Sequence, residues 1–323
     1  MIEKVLPNLF KVRVPLPGNP LRAVNSYVVK AERRSLIIDT GMNCDESKCA
    51  LLLALKKLSV DLGETDFFIT HFHSDHLGLV SKLATDVSTI FFSRRDAEFM
   101  RHVGECRNSL LKFARINGFP ENELHEAFKK HPGYRYGLGE PVEFTSLMEG
   151  NTISVGDYLF KCLETPGHTV GHMCLYEPNR KILVAGDHII EGITPNISLW
   201  LDRGNPLKEY LASLDKVYDL DVSIVLPGHG HVFKDFRKRI RELKKHHQKR
   251  VEEIIEILKE GRKNAYQIAA EMEWHMDYGS WESIPATQKW FAVGETLAHL
   301  KYLEEKGIIR RKLEGEEVTF EKV

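Results

Sequence analysis

The stretch Thr70-His71-Phe72-His73-Ser74-Asp75-His76-Leu77-Gly78 places four potential metal ligands within six residues, directly after the apolar run 67–70. A short apolar run of this kind reads as a buried strand, which puts the histidine cluster at its C-terminal end. In layered α/β proteins that is where loops converge and sites form. Side chains at i and i+2 of a strand end share a face, so His71 and His73 can grip one cation. Asp75 and His76 follow where the chain turns into a helix, and they can face a second cation alongside. Imidazole and carboxylate together suit zinc, with manganese or iron as alternatives. The alternative is a set of surface or core histidines satisfied by hydrogen bonds, but burying or exposing all four together serves no packing purpose.

Working outward, three single residues extend the set, each in a Gly-containing turn after an expected strand. They are His168 in Thr165-Pro166-Gly167-His168-Thr169, Asp187 in Ala185-Gly186-Asp187 and His229 in Leu226-Pro227-Gly228-His229-Gly230. Glycine and proline at such turns allow close backbone approach and fix a side chain at a strand's edge. With the first cluster they make seven ligands, enough for two adjacent ions with an open position between them.

The rest of the chain sets limits. Lys and Arg number 45 against 46 Asp and Glu in 323 residues, a formal charge of -1, which argues against wholesale polyanion binding. No apolar run approaches the roughly 18 to 20 residues of a spanning helix. The first twenty residues have charges and prolines where a signal peptide would be apolar. Five cysteines (Cys44, Cys49, Cys106, Cys162, Cys174) form no CxxC pair, and a reducing cytoplasm is the simplest reading. Strands are expected at 26–29, 35–38, 67–70, 151–164 (with a Gly156-Asp157 hairpin turn), 173–176, 182–185 and 223–226, and a helix at 49–58. Between the strand regions, 94–103, 107–117 and 121–130 read as three helices and 131–141 as a loop, together a helical insertion over about 94–140. Residues 234–250 carry nine Lys or Arg against two acids and lead into an apolar-periodic stretch, one long helix. A short helix capped by Asn264, a helix over about 287–306 and a hairpin at 308–321 complete a winged-helix-like order.

The order His71-x-His73-x-Asp75-His76, His168, Asp187, His229 resembles the metallo-β-lactamase superfamily over residues 1 to about 233. Asp39 in Asp39-Thr40-Gly41 matches that family's first motif, a structural aspartate near the metals. The resemblance implies an α+β fold, a four-layer αββα sandwich, here with the helical insertion and a C-terminal winged-helix-like domain. The expected domains are 1–233, catalytic, and 234–323. The resemblance also implies that His71, His73 and His168 hold the first of two divalent ions, that Asp75, His76 and His229 hold the second, and that Asp187 bridges them. Histidine at position 73, where diiron oxygen reductases of this fold use a carboxylate, favours hydrolysis, although mononuclear iron dioxygenases of the fold share much of the same histidine pattern. The C-terminal region is similar to the winged-helix appendage of one branch of the superfamily, through His247-x-x-Arg250 and Gly294-Glu295-x-x-Ala298-His299-Leu300.

The expected function is therefore a hydrolase that uses a metal-bridged hydroxide to cleave a small ester, thioester, lactone or amide, with Asp75 as the catalytic residue that orients the nucleophile and moves its proton. A metal-dependent endoribonuclease or phosphodiesterase acting on single-stranded RNA is the alternative, and a nucleic-acid-binding regulator with a structural metal is the third reading. Seven ligands around an open position exceed what a four-coordinate structural zinc requires. A small-molecule substrate is favoured because the insertion should cover the mouth of the site; the insertion and the added domain also offer surfaces for a homodimer, and no membrane contact is expected. His172, His188 and His231 stay outside the ligand set, Cys174 is expected in the core, and Tyr134 and Tyr136 either cap the pocket or pack beside it.

Overall fold

The computed structural model describes residues 1–103, 107–199, 201–274 and 278–323. In chain order the elements are β1 (Ile2–Leu6), β2 (Leu9–Pro15), β3 (Ala23–Val29), β4 (Ser35–Ile38), α1 (Asp45–Lys57), β5 (Thr65–Ile69), α2 (Ser74–Leu77), α3 (Val80–Leu83), β6 (Ile90–Ser93), α4 (Arg94–Val103), α5 (Arg107–Ile116), α6 (Glu121–Lys130), α7 (Pro132–Tyr136), β7 (Thr145–Leu147), β8 (Thr152–Val155), β9 (Tyr158–Glu164), β10 (Met173–Glu177), β11 (Ile182–Gly186), α8 (Pro206–Tyr218), β12 (Ile224–Pro227), α9 (Phe236–Ile257), α10 (Ala265–Glu271), α11 (Ala286–Glu305), β13 (Ile309–Glu314) and β14 (Glu317–Lys322). A seven-stranded sheet runs β1 through β7 in sequence order, and a five-stranded sheet runs β12-β11-β10-β9-β8.

Alternation along the strands explains why the two sheets stack. In β5, Phe68 faces the second sheet while Phe67 and Ile69 face α1 to α3. In β11, Ile182 and Val184 face the first sheet, and Leu183 and Ala185 face α8 and α9. Both sides of each strand are therefore apolar, as strands covered on both faces require. The layers are helices, sheet, sheet, helices, a mixed α/β sandwich. β4 to β7 run parallel, as do β11 and β12, and the C-terminal ends of β5, β11 and β12 open at one edge.

Local features depart from the expectations, among them the strands β1, β2, β6 and β7, where none was expected. Residues 131–141 are not wholly loop: Pro132 opens the short helix α7, and His131 Nδ1 accepts from the Gly133 amide at 3.1 Å. Helix α8 is absent from the expected elements, although Asn205-Pro206 (a cap, then proline at the first helical position) and Leu207, Tyr210, Leu214 and Val217 at helical spacing signal it. The insertion also divides. α4 lies at the site edge, whereas α5 and α6 share an apolar core with the C-terminal helices, with Trp290 edge-on to Phe119 and Phe128. Tyr134 stacks at the surface on Phe128, and Tyr136 packs in the core beneath α2. Cys174 is buried and free, as are Cys44, Cys49 and Cys162 free; Cys106 lies outside the described residues.

Phe68 is fully buried between the sheets. Phe68→Ala should lower stability by about 3–5 kcal/mol, read as a fall in the denaturant midpoint at unchanged slope.

Candidate metal centre

Each site residue follows closely on the end of a strand that cannot move without opening the core. At the end of β5 the Thr70 amide and hydroxyl donate to the Asp39 carboxylate, at 2.8 and 2.9 Å. Asp39 itself adopts a left-handed backbone (φ 58°), a conformation uncommon outside glycine that often marks functional sites. The His76 and Leu77 amides donate to the His73 carbonyl, which starts α2 and turns Asp75 and His76 toward the same space as His71. Past β12, the Tyr27 hydroxyl and the Asn25 amide donate to the Pro227 carbonyl, and the Asn25 backbone amide donates to the Gly228 carbonyl. The turn carrying His229 is thus clamped by β3, from the opposite sheet.

All seven residues converge. The ligand atoms of His71, His73 and His168 lie within 4.8 Å of one another, as do those of His71, His76 and Asp187, and those of Asp75, His76 and His229. Asp187 is 3.5 Å from His76 Nε2, 3.7 Å from His168 Nε2 and 3.4 Å from His229 Nε2, so it sits between the groups. His73 and Asp75 are half-buried and the other five are buried, which leaves one approach from solvent. His172 stays outside: its Nδ1 faces Thr165 Oγ1 at 2.8 Å, and its Nε2 accepts from the Asp187 amide at 3.2 Å, bracing the turn. His231 is exposed.

The outward nitrogens assign the tautomers. His76 Nδ1 faces Asp39 Oδ2 at 2.7 Å, His168 Nδ1 faces the Asn196 carbonyl at 2.8 Å, and His229 Nδ1 faces the Ala23 carbonyl at 2.8 Å. Carboxylates and carbonyls only accept, so these Nδ1 atoms each carry a proton, and each Nε2 faces inward as the atom a cation would take once any proton on it is lost. Those three Nε2 atoms and Asp187 Oδ1 are buried without a hydrogen-bond partner. Three inward imidazole nitrogens and a carboxylate oxygen aimed at one space are a donor set that could hold divalent cations. Gly228 keeps that space open, because a Cβ there would stand 2.3 Å from Asp187 Oδ1 and 2.7 Å from His76 Cε1.

Charge divides the cluster. Burial works against charge on His229, yet the Asp187 carboxylate beside it pushes its pKa up to about 10. His76 is raised in the same way by Asp187, Asp39 and Asp75 against the effect of burial. Burial and the neighbouring imidazoles hold His71 and His73 well below the usual histidine range. Burial disfavours the charge on Asp187 too, but His229 and His76 hold it ionised.

Comparison with known proteins agrees with this geometry. Residues 19–229 match the family described as "Metallo-beta-lactamase superfamily", and residues 282–322 match "Metallo-beta-lactamase-like, C-terminal domain". The chain belongs to the metallo-beta-lactamase superfamily. It is 26% identical to "Probable metallo-hydrolase YqjP" of Bacillus subtilis over 97% of each chain. A crystal structure of a metallo-beta-lactamase family protein from Thermus thermophilus superposes with a TM-score of 0.84 at 29% identity, covering 99% of this chain and 100% of that one. An "Atrochrysone carboxyl ACP thioesterase" of Aspergillus fumigatus is 26% identical over 76% of this chain and 63% of its own length. Members of the superfamily typically bind divalent metals, and the His/Asp cluster of this metallo-beta-lactamase chain could hold them.

Two supports of the cluster lie outside the expected site residues. Asp96, in the first turn of α4, accepts from the Phe72 amide (3.1 Å), the Thr169 hydroxyl (2.9 Å) and the Gly171 amide (2.6 Å). It ties the His71–His73 segment to the His168 turn, and burial pushes its carboxyl up to about 7. An aspartate in a helix's first turn carries no sequence signal of such a role. The second support comes from α11. Asn196, whose carbonyl orients His168, donates its side-chain amide to Glu295 (3.1 Å) and to the Phe291 carbonyl (3.3 Å), while the Leu199 amide donates to the Gly294 carbonyl (3.0 Å). Gly294 lets the loop approach, since a Cβ there would lie 2.9 Å from Ser198 Oγ. In the sequence the Gly294-Glu295 pair carries only a resemblance; its contact with the site needs the fold.

Gly228→Ala should fold normally by circular dichroism yet lose metal, measured by elemental analysis, although every ligand remains. Glu295→Ala should weaken metal binding by about 10–100-fold in chelator competition, whereas Glu295→Gln, which still accepts from Asn196, should stay near wild type. Metal uptake should release protons from His76 and His229, so affinity should rise with pH from about 6 to 9 in the same assay.

Proposed function

We propose that this protein is a dinuclear metal-dependent hydrolase that cleaves a small ester, thioester, lactone or amide. The observation that carries the reading is the set of inward, partnerless Nε2 and carboxylate atoms backed by outward-anchored Nδ1 atoms. In this reading His71, His73 and His168 hold one ion, Asp75, His76 and His229 hold the other, and Asp187 joins them. Zinc is the first choice, with manganese or iron able to use the same donors. Cations held there would lower the pKa of a water and offset the charge of a developing oxyanion. Asp75 is placed to orient that water and move its proton. Burial disfavours its charge, but His76 and His229 hold its carboxyl below the usual range, so it is ionised and able to accept. It lies 3.4 Å from His229 Nε2 and is half-open to solvent.

Two observations favour a small substrate over RNA. A cavity of about 240 Å³ adjoins His168, bounded by α4 and the loops before α8. The basic stretch 234–250 directs many of its cations inward: Arg237 donates to the Tyr218 and Leu220 carbonyls, Arg239 to Ile190 and Ile193, Lys244 pairs with Asp215, and Arg250 bonds Glu253 and the Glu273 carbonyl. Helix α9 thus works as a brace between the core and the C-terminal elements. We read 1–233 as the catalytic unit and 234–323, three helices and a two-stranded hairpin, as winged-helix-like; the order of α9, α10, α11, β13 and β14 supports that reading. The thioesterase among the relatives makes thioesters the first substrates to test. No described helix is long and apolar enough to cross a membrane, and the free cysteines support a reducing cytoplasm.

Zinc-loaded protein should hydrolyse members of a thioester and lactone panel, lose the activity with chelator or His73→Ala, and leave labelled single-stranded RNA intact. RNA cleavage that His73→Ala removes would replace this reading by the nuclease one. Asp75→Asn should lower kcat by about 10²–10⁴-fold.

A further inference from the structure

The cavity beside His168 has a lining whose chemistry is unevenly distributed. At its inner end Thr169 and Leu199 are buried next to His168; at its outer end Arg203 is exposed. Between them the wall is apolar: Phe72, set between His71 and His73, packs on Phe99 of α4 with ring centroids 5.2 Å apart, and Leu201 faces the same space. The lining thus joins His168 of the cluster, aromatic and aliphatic side chains, and Arg203.

Size and charge restrict what fits. A cavity of about 240 Å³ suits a segment of a small molecule. Of the charged lining residues, Arg95 lies 3.7 Å from Glu209 and is largely neutralised by it. Arg203 has no carboxylate partner among the described residues, and its own amide donates to Leu201, which folds the loop back beside the wall. The lining thus carries one uncompensated positive charge, and a guanidinium presents a fork that matches a carboxylate.

We propose that this cavity is the specificity site for a monoanionic substrate: a compound whose scissile carbonyl lies at the His/Asp cluster and whose short apolar segment ends in a carboxylate bound by Arg203. The proposal deepens the hydrolase reading and rests on it for the placement of the scissile bond. Aligning the carboxylate at the outer end and the carbonyl at the inner end would fix the substrate's register, so discrimination belongs in KM more than in kcat.

The test uses the full zinc-loaded chain and two matched pairs of thioesters. In one pair the acyl group varies, hexanoyl against adipoyl N-acetylcysteamine; in the other the thiol varies, S-acetyl hexanethiol against S-acetyl 6-mercaptohexanoate. The carboxylated member of one pair should be preferred at least tenfold in kcat/KM, and the pair that shows it tells which side of the bond occupies the cavity. Arg203→Ala should bring the ratio close to one through KM, and Arg203→Lys should restore part of it. Calorimetry with adipic acid monoamide against hexanamide gives a second readout without turnover, the monoamide binding at least tenfold tighter in an Arg203-dependent way. Hydrolysis of both members of each pair without preference, or a preference that survives Arg203→Ala, would overturn the proposal and leave the hydrolase reading standing. Arg203-dependent monoamide binding without hydrolysis of any thioester would instead overturn the thioester reading and retain the carboxylate site. Neither binding nor hydrolysis would overturn both.

Discussion

A buried imidazole has two nitrogens, and whichever one donates a proton outward leaves the other with a lone pair pointing inward. The candidate metal centre depends on that division at several histidines at once. Asp39 accepts the hydrogen bond from His76 Nδ1, the Asn196 carbonyl accepts that from His168 Nδ1 and the Ala23 carbonyl accepts that from His229 Nδ1. For His71, the Thr70 hydroxyl already donates to Asp39, which leaves its oxygen free to accept at 3.0 Å from His71 Nδ1. Removing an outward acceptor would let the ring rotate or change tautomer, and the inward lone pair would be lost without any ligand being mutated.

The acceptors come from distant parts of the chain, so the site belongs to the whole sandwich. Ala23 lies on β3 of the first sheet and holds a residue that follows β12 of the second. Asn196 lies in a loop docked on α11, which makes the C-terminal region a structural part of the metal centre. Arg239 of α9 secures the neighbouring loop through the Ile190 and Ile193 carbonyls, and Tyr210 of α8 donates to the His188 carbonyl one residue beyond Asp187. On the other side, Asp96 fastens the two loops that carry His71, His73 and His168. The helical insertion and the C-terminal elements therefore act from opposite edges on the same imidazoles, and α5 and α6 join them through Trp290 and the Lys289–Glu123 pair.

Local pattern makes much of this legible. The strands that carry the site are short, apolar and closed by Gly- or Asp-containing turns, because both faces of each strand are covered and only the ends meet water. Four of the seven clustered side chains occupy one six-residue segment, so their proximity needs no tertiary information. The helices at 94–103 and 121–130 and the Asn264 cap, which forms a reciprocal pair with Gln267, are equally local. Helix α8 carries a local signal in its Asn205-Pro206 start, whereas the role of Asp96 has none, since a helix's first turn favours an aspartate for reasons unrelated to function.

Residue identity and spacing by themselves determined which side chains can bind cations, which strands carry them and which superfamily the order resembles, because each follows from contacts within a few residues. The three-dimensional chain decided which nitrogen of each imidazole faces inward, which loops the C-terminal helix holds, and that Arg203, with no carboxylate partner among the described residues, lines the cavity beside His168. Those features join residues tens to hundreds of positions apart, such as Ala23 with His229 or Asn196 with Glu295, and they exist only once two sheets and their covering helices have packed.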